Sequence, residues 1–223
     1  MRELALFAGV GGGILASSLL GWRTICAVEI NRYRRSVLHA RQNDGTLPSF
    51  PVWDDIRTFD GLLWRGRIDV VSGGFPCQAY SSAARGRNTA DDLWPEMRRI
   101  VAETAPRYVF AENVSRRAID AAADDLETMG YEARCIALSA EDLGGDHIRP
   151  RYWLRAHAHG DSQLFCPINA KMGFLSSFRP GVWEADPEEP GMADGLASRV
   201  DRLGAIGDGQ VPIVAATAWE LMA

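Results

Sequence analysis

Short apolar runs alternate along most of the chain with longer stretches in which apolar residues recur at helical spacing. A strand predicted over Glu3 to Phe7 precedes a helix over Ile14 to Leu20, and a strand over Thr24 to Val28 precedes a helix over Arg32 to Gln42. Parallel strands need crossover connections, which are usually helices that cover the faces of the sheet. The alternation therefore predicts an α/β fold with a parallel sheet covered on both faces.

The same alternation continues as far as His159. It predicts strands over Ile68 to Ser72, Arg107 to Ala111, Tyr131 to Leu138 and Tyr152 to His157, with helices over Asp91 to Glu103 and Ser115 to Met129. Residues 160–198 show no sustained period and form either a small recognition subdomain or a long surface loop. We expect residues 1–159 to form one domain, and residues 199–223, with a terminal helix over Val211 to Leu221, to return to it.

Composition limits the kinds of partner. The chain has 223 residues, of which 47% are hydrophobic, enough for one core with a small appendage. Its formal net charge of -5 argues against a protein that coats nucleic acid by bulk electrostatics, but it is compatible with a basic cleft. Glycines interrupt the uncharged stretch from Leu4 to Trp22, so we expect a strand, a turn and a helix there and no membrane association.

The four cysteines, at positions 26, 77, 135 and 166, lie far apart and include no CxxC pair. This usage is typical of a reducing compartment, and we expect the protein in the cytoplasm. His157, His159, Asp161 and Cys166 match no standard zinc spacing, so no metal site is predicted.

Two segments carry chemistry. Cys77 stands between a proline and a glutamine directly after the strand that ends near Ser72, which is typical of a presented nucleophilic thiol. The segment Phe7 to Gly13 would let the backbone turn sharply at the carboxyl edge of the sheet, where such folds bind ligands. Glu29, at the end of the second strand, is placed to accept hydrogen bonds from both hydroxyls of a ribose, although NAD would satisfy the same geometry.

Together with Glu112-Asn113-Val114, these segments resemble in order and spacing the DNA cytosine-5 methyltransferase family. The resemblance implies a Rossmann-like S-adenosylmethionine-dependent sheet, with residues 160–198 as a reduced target-recognition region. It also implies S-adenosylmethionine as cofactor, S-adenosylhomocysteine as product, and a cytosine flipped out of double-stranded DNA as substrate. The small size suggests a phage or prophage enzyme without a fused nuclease, related to restriction-modification enzymes and acting as a monomer in a bacterial host.

By the same resemblance, Glu29 holds the ribose, Phe7 lies along the adenosine, Ile30 touches the adenine and Asp55 accepts from its exocyclic amine. A turn or helix N-cap role for Asp55 fits the sequence nearly as well. The implied cofactor-binding residues are Phe7, Gly9, Gly11, Glu29, Ile30, Asp55, Ile56 and Asp208.

The resemblance gives Cys77 the attack on C6 of cytosine and Glu112 the proton for N3, with helix capping before Ser115 as the alternative for Glu112. Residues 146–151 resemble the family's Gln-x-Arg-x-Arg motif, with His147 in place of the glutamine. Arg149 and Arg151 should alternate onto one face of a strand, one holding the cytosine O2 and the other a phosphate or Glu112. The implied DNA-binding residues, in a loop that closes on DNA, are Gln78, Ser81, Arg85 and Arg87.

Asp208 stands where the family usually has asparagine close to the methyl donor. A carboxylate there would act on a sulfonium cofactor, or Asp208 would instead cap the terminal helix. Two other functions are compatible with the sequence. One is a noncatalytic DNA-binding relative of the fold, and the other is cytosine-5 methylation of tRNA.

Overall fold

The computed structural model describes residues 1–76, 92–159, 201 and 204–223. Within them, the strands of one sheet are β1 (Arg2–Leu6), β2 (Arg23–Val28), β3 (Val52–Trp53), β4 (Val70–Gly74), β5 (Tyr108–Asn113), β6 (Tyr131–Leu138) and β7 (Arg151–Ala158). Their order across the sheet is β3-β2-β1-β4-β5-β7-β6. The first five strands pair in parallel, whereas β7 runs antiparallel to both β5 and β6.

The α/β class is confirmed, but the prediction of a wholly parallel sheet is wrong at one edge. β6 and β7 are joined through a short 3-10 turn, Glu141–Leu143, and no crossover helix lies between them. A connection without a crossover can join only antiparallel neighbours. The two-residue strand β3 has no sequence prediction because so short an element carries no periodicity.

The helices of the described residues are α1 (Gly12–Leu19), α2 (Arg32–Asn43), α3 (Trp94–Thr104), α4 (Arg116–Thr128) and α5 (Pro212–Leu221), and residues 204–208 are also helical. The predicted third helix begins later than expected, because the Asp92 carboxylate accepts from the Trp94 backbone N–H at 3.1 Å and Pro95 occupies the first turn. Its predicted first residue, Asp91, lies outside the described residues.

Helices cover both faces of the sheet. Successive side chains of β1 point to opposite faces. Leu4 and Leu6 belong to the apolar cluster that contains residues of α3 and α4, whereas Ala5 packs with residues of α1 and α2. Trp219 of α5 meets Phe110 of β5 edge to face at 5.5 Å between ring centroids, on the same side as α1. The core therefore lies in two layers, one on each side of the sheet.

β1 lies inside the sheet, and the chain passes from it to β2 and β3 on one side before it crosses to β4 on the other. Connections that leave neighbouring parallel strands in opposite directions open a crevice at their carboxyl ends. The fold therefore places a ligand crevice where β1 meets β4.

Candidate active site

A cavity of about 400 Å³ opens at this crevice, a size that is ordinary for a small-molecule site. Six of the predicted cofactor residues line it, namely Phe7, Gly9, Glu29, Ile30, Ile56 and Asp208. Two predicted residues, Gly11 and Asp55, are not part of its lining. The cavity also reaches Glu112 and Arg151, so one crevice joins the predicted cofactor end to the predicted chemical end.

Glu29 follows β2 and is only 4% exposed. Its Oε2 accepts from the backbone N–H of Gly9 at 2.7 Å, and its Oε1 accepts from the backbone N–H of Asn31 at 2.7 Å. Each carboxylate oxygen can accept more than one hydrogen bond. The backbone thus fixes the carboxylate in place and leaves it able to accept from hydroxyl groups of a ligand in the cavity.

Phe7 directly follows β1 and has a left-handed backbone, φ 52°. Such a conformation costs a non-glycine residue on the order of 1 kcal/mol and persists only where neighbouring contacts hold it. Here the next residue, Ala8, donates its backbone N–H to Val28 O at 3.0 Å. The turn directs the chain away from the sheet and leaves the half-buried Phe7 on the cavity wall.

The two predicted residues that do not line the cavity have structural contacts of their own. A Cβ atom on Gly11 would lie 3.1 Å from the side chain of Leu38, so this glycine faces the core. Asp55 Oδ1 accepts from the backbone N–H of Arg57 at 3.0 Å and caps the 3-10 turn Ile56–Thr58. These contacts fit the capping alternative for Asp55, and the cofactor roles of both residues remain predictions.

Glu112 lies within β5, opposite Gly74 of β4 and Trp153 of β7. It is 8% exposed, and its Oε1 lies 2.9 Å from Arg151 Nε. Burial raises the pKa of Glu112, against the opposing effects of Arg151, the Gln210 amide and Arg149. A buried carboxyl group with a raised pKa on a cavity wall is a candidate proton donor.

The two arginines of residues 146–151 separate. β7 begins at Arg151, so Arg149 precedes the strand, and the prediction that the pair shares one strand face is wrong. Arg151 pairs with Glu112, whereas Arg149 Nη2 donates to the carbonyls of Gly207 at 2.6 Å and Gly209 at 2.7 Å. Burial lowers the pKa of Arg149, and the nearby Arg151 acts in the same direction.

Arg149 thereby holds the C-terminal segment, defined here as Gly207–Gln210, against the cavity. Within it, Asp208 forms an ion pair with Arg34 of α2. The N-cap of α5 is Val211, without a side-chain hydrogen bond, so the alternative that Asp208 caps this helix does not agree with the structure. Sequence patterns did not single out Gln210, whose Nε2 lies 3.4 Å from Glu112 Oε2.

Residues 1–173 match the family model for the C-5 cytosine-specific DNA methylase. The chain belongs to this family. It is 32% identical over 168 residues to Type II methyltransferase M1.HphI of Haemophilus parahaemolyticus, a match that covers 68% of this chain and 44% of that protein. It is 30% identical over 159 residues to Type II methyltransferase M.NgoMIV of Neisseria gonorrhoeae, a match that covers 67% of this chain and 49% of that protein. The chain thus spans less than half the length of these two relatives.

Among solved structures, the DNMT2 E260A/E261A/K263A mutant of Spodoptera frugiperda matches with a TM-score of 0.59 and 20% identity, over 74% of this chain and 52% of that chain. S. pombe Dnmt2 methyltransferase matches with a TM-score of 0.56 and 20% identity, over 71% of this chain and 51% of that chain. These two matches show that the fold is shared with solved methyltransferases, as predicted. The family that the motifs predicted is confirmed by the family model.

Several residues that the family resemblance singles out lie outside the described residues. They are the predicted nucleophile, Cys77, and the predicted DNA contacts, Gln78, Ser81, Arg85 and Arg87. The stretch before them is described, and Gly73, Gly74, Phe75 and Pro76 all line the cavity. Pro76, which immediately precedes Cys77, therefore lines the same cavity as Glu112.

In the described ranges, no group of three or more His, Cys, Asp or Glu side chains is arranged to hold a metal ion. No helix of those ranges has the length and apolar character to cross a bilayer. His157 Nε2 lies 3.6 Å from a carboxylate oxygen of Glu132. His159 is exposed, and the remaining two side chains considered as ligands, Asp161 and Cys166, lie outside the described residues.

Proposed function

We propose that the protein transfers a methyl group from S-adenosylmethionine to C5 of a cytosine flipped out of double-stranded DNA. The observation that carries the proposal is the cavity that joins a backbone-held carboxylate, Glu29, to a buried acid, Glu112, paired with Arg151. Membership of the cytosine methylase family supports the same chemistry.

The residues at one end of the cavity suit an adenosyl cofactor. Glu29 would accept from the ribose hydroxyls, and Phe7, Ile30 and Ile56 offer apolar surface to an adenine. Gly9 lies at the turn beside Glu29, where the backbone would come close to a bound cofactor. When bound, S-adenosylmethionine supplies a methyl group that is electrophilic because it is attached to a sulfonium.

At the other end, the chain supplies the groups that make C5 nucleophilic. The thiolate of Cys77 adds to C6 while N3 takes a proton from Glu112, which gives an enamine. After C5 has gained the methyl group, a base takes the C5 proton and the thiolate leaves C6. The proton on N3 returns to Glu112, so the ring and both side chains are restored, and the sum is methyl transfer with release of one proton.

Arg151 keeps Glu112 in place through the 2.9 Å contact and adds a positive charge to the pocket. We assign the DNA contacts to Gln78, Ser81, Arg85 and Arg87, which would hold the flipped base and adjoining phosphates. Residues 1–159 would form the catalytic domain, residues 160–198 would read the target, and residues 199–223 would return to the catalytic domain. We place this activity in a monomer in the bacterial cytoplasm.

The experiment that tests the function is incubation with methyl-labelled S-adenosylmethionine and either double-stranded DNA or tRNA, followed by digestion to nucleosides. Label in 5-methyldeoxycytidine supports the proposal. Label in the ribonucleoside would show that the same reaction acts on RNA. No label in either nucleic acid would favour a noncatalytic binding relative.

Replacement of Cys77 by serine tests the covalent step. Cys77→Ser should abolish transfer, because serine is a far weaker nucleophile, while the dissociation constant for S-adenosylhomocysteine stays within about threefold. A duplex that contains 5-fluorocytosine should trap the wild type in a denaturation-resistant complex, because the C5 proton needed for elimination is missing. An active serine variant, or the absence of a trapped complex with an active wild type, would contradict this role.

A further inference from the structure

Gln210 occupies the junction between the two ends of the cavity. It belongs to the C-terminal segment and is part of the lining of the main cavity. It also lines a smaller recess together with Glu112, Arg149 and Arg151. Its side chain therefore runs from the glycine-rich opening of the chain to the buried acid.

Three glycines lie close to Gln210, one against its backbone and two against its side chain. A Cβ atom on Gly12 would lie 2.2 Å from the Gln210 carbonyl oxygen, and one on Gly13 would lie 2.5 Å from Gln210 Oε1. On the sheet side, a Cβ atom on Gly74 would lie 3.3 Å from Gln210 Nε2 and 2.6 Å from Glu112 Oε2. The Gly12 position requires glycine, because a Cβ atom there would meet backbone. At Gly13 and Gly74 a Cβ atom would displace the side-chain ends of Gln210 and Glu112 from their present positions.

The two oxygens of Glu112 have different partners. Oε1 lies 2.9 Å from Arg151 Nε, and Oε2 lies 3.4 Å from Gln210 Nε2. The Gln210 amide NH₂ faces Oε2 and can donate to it when the carboxylate is ionised, because that form only accepts hydrogen bonds. The contact is long, as catalytic contacts often are before substrate binds.

We propose that Gln210 is a positioning residue that holds the Glu112 carboxyl group from the side opposite Arg151. This role rests on the proposed function of Glu112 as proton donor. Arg151 alone would fix one oxygen and leave the carboxyl group able to turn about its side-chain bonds. The amide on the other oxygen fixes that orientation from the segment that also borders the cofactor end.

A purely space-filling role would require only the volume of Gln210. Gln210→Met keeps the length and removes the amide donor, and Gln210→Glu keeps the shape and replaces the donor with an acid. Ile206→Ala, in the preceding helical stretch, is the matched control, because Ile206 is 70% exposed and lines neither recess.

The primary readout is the titration of the Glu112 carboxyl group, followed by carbon-13 NMR of glutamate-labelled full-length protein and assigned with Glu112→Gln. The charged groups on the neighbouring elements that face Glu112 are Arg149 and Arg151. Loss of the amide donor should move the titration to higher pH in Gln210→Met and further in Gln210→Glu, with no movement in Ile206→Ala. In the methylation assay, kcat of Gln210→Met should fall about tenfold while KM for S-adenosylmethionine stays within about twofold.

Unchanged titration in both Gln210 variants overturns the proposal, as does a loss of cofactor affinity that accounts for the whole loss of activity. The titration does not depend on turnover. If the wild type methylates no nucleic acid, the proposed function fails, while the titration still decides whether Gln210 acts on Glu112.

Discussion

The two ends of the cavity hold their acids in different ways. At the cofactor end, Glu29 accepts from the backbone N–H groups of Gly9 and Asn31, both at 2.7 Å. At the chemical end, called the base end here because the proposed function places the flipped cytosine there, Glu112 contacts the side chains of Arg151 and Gln210. Backbone donors are supplied by the fold itself, whereas side-chain partners can be removed one at a time. The position of Glu29 therefore depends on the backbone of the fold, whereas the position of Glu112 depends on individual side-chain contacts.

The sequence separation of the partners follows the same division. The donors to Glu29 lie 20 residues before it and two residues after it, at the adjoining ends of β1 and β2. Gln210 lies 98 residues from Glu112, and Arg149 must hold the carbonyls of the C-terminal segment to bring it there. The cofactor end should therefore tolerate damage to the base end.

The largest expected effect comes from Glu112. Glu112→Gln keeps the shape and removes the proton, so kcat should fall by about 10²- to 10⁴-fold. The dissociation constant for S-adenosylhomocysteine should stay within about twofold, because Glu29 is held independently. Single-turnover methylation and calorimetry measure the two quantities, with the half-exposed Glu132→Gln as control. A matching loss of cofactor affinity would mean that the two ends are not separable.

The pH dependence of kcat/KM for DNA sharpens this prediction. In the proposed function Glu112 acts in its protonated form, and burial raises its pKa. Activity should therefore persist to higher pH than an ordinary glutamate allows and then fall as the pH rises through the raised pKa. That alkaline decline should be absent from the residual activity of Glu112→Gln.

Replacement of Glu29 should impair cofactor binding and spare the chemical step, the reverse of the result expected for Glu112. The expected loss is also smaller. Glu29→Ala should weaken cofactor binding by about 1–3 kcal/mol through loss of a charged acceptor. At saturating cofactor, the chemical step should stay within a few-fold of wild type. Calorimetry on a variant shown to be folded by its thermal transition provides the measurement, and unchanged affinity would remove Glu29 from the ribose role.

The contrast between the two ends also explains what the sequence could predict. Glu29 and Phe7 belong to adjoining strand ends, and local spacing was enough to place both on the cavity wall. Glu112 and Arg151 were found through family motifs. The position of Arg149 depends on where β7 begins and on a carbonyl 58 residues away, neither of which spacing reveals. Gln210 was missed because a glutamine gains significance only from the groups that surround it.

Glu3 is a third buried acid, and it lines neither the cavity nor the smaller recess. It is 0% exposed and accepts from the hydroxyls of Ser17 and Thr24 at 2.5 Å and of Ser72 at 2.6 Å. Burial raises its pKa against the effect of these three hydroxyls. Its contribution to stability is therefore fully present below the ordinary glutamate pKa and is lost as the pH rises through the raised value.

Glu3→Gln should remove that pH dependence. The free energy of unfolding of wild type minus that of the variant should be largest in acid and decrease, by on the order of 1 kcal/mol, as the pH rises. Chemical denaturation at several pH values measures it. A difference that instead grows with pH would show that ionised Glu3 is the form that the three hydroxyls stabilise.

The smallest effect is expected from Asp208, which borders the cofactor end but belongs to the C-terminal segment. A lone carboxylate near the donor would favour the cationic S-adenosylmethionine over the neutral S-adenosylhomocysteine. Here the ion pair with Arg34 offsets that charge, and the Asp208 side chain is 67% exposed, so solvent screens it further. Asp208→Asn should therefore lower the preference for S-adenosylmethionine only about two- to threefold, on the scale of an exposed ion pair.

Arg34→Gln supplies the matched test, because it leaves Asp208 with an unbalanced charge. That variant should increase the preference for S-adenosylmethionine, and the double variant Arg34→Gln with Asp208→Asn should return close to the value of Asp208→Asn alone. The two dissociation constants, measured at low and high salt for all four proteins, decide it. Equal ratios throughout would mean that the ion pair only fastens the C-terminal segment to α2, so that Asp208 would then belong with Arg149 among the groups that hold the segment in place.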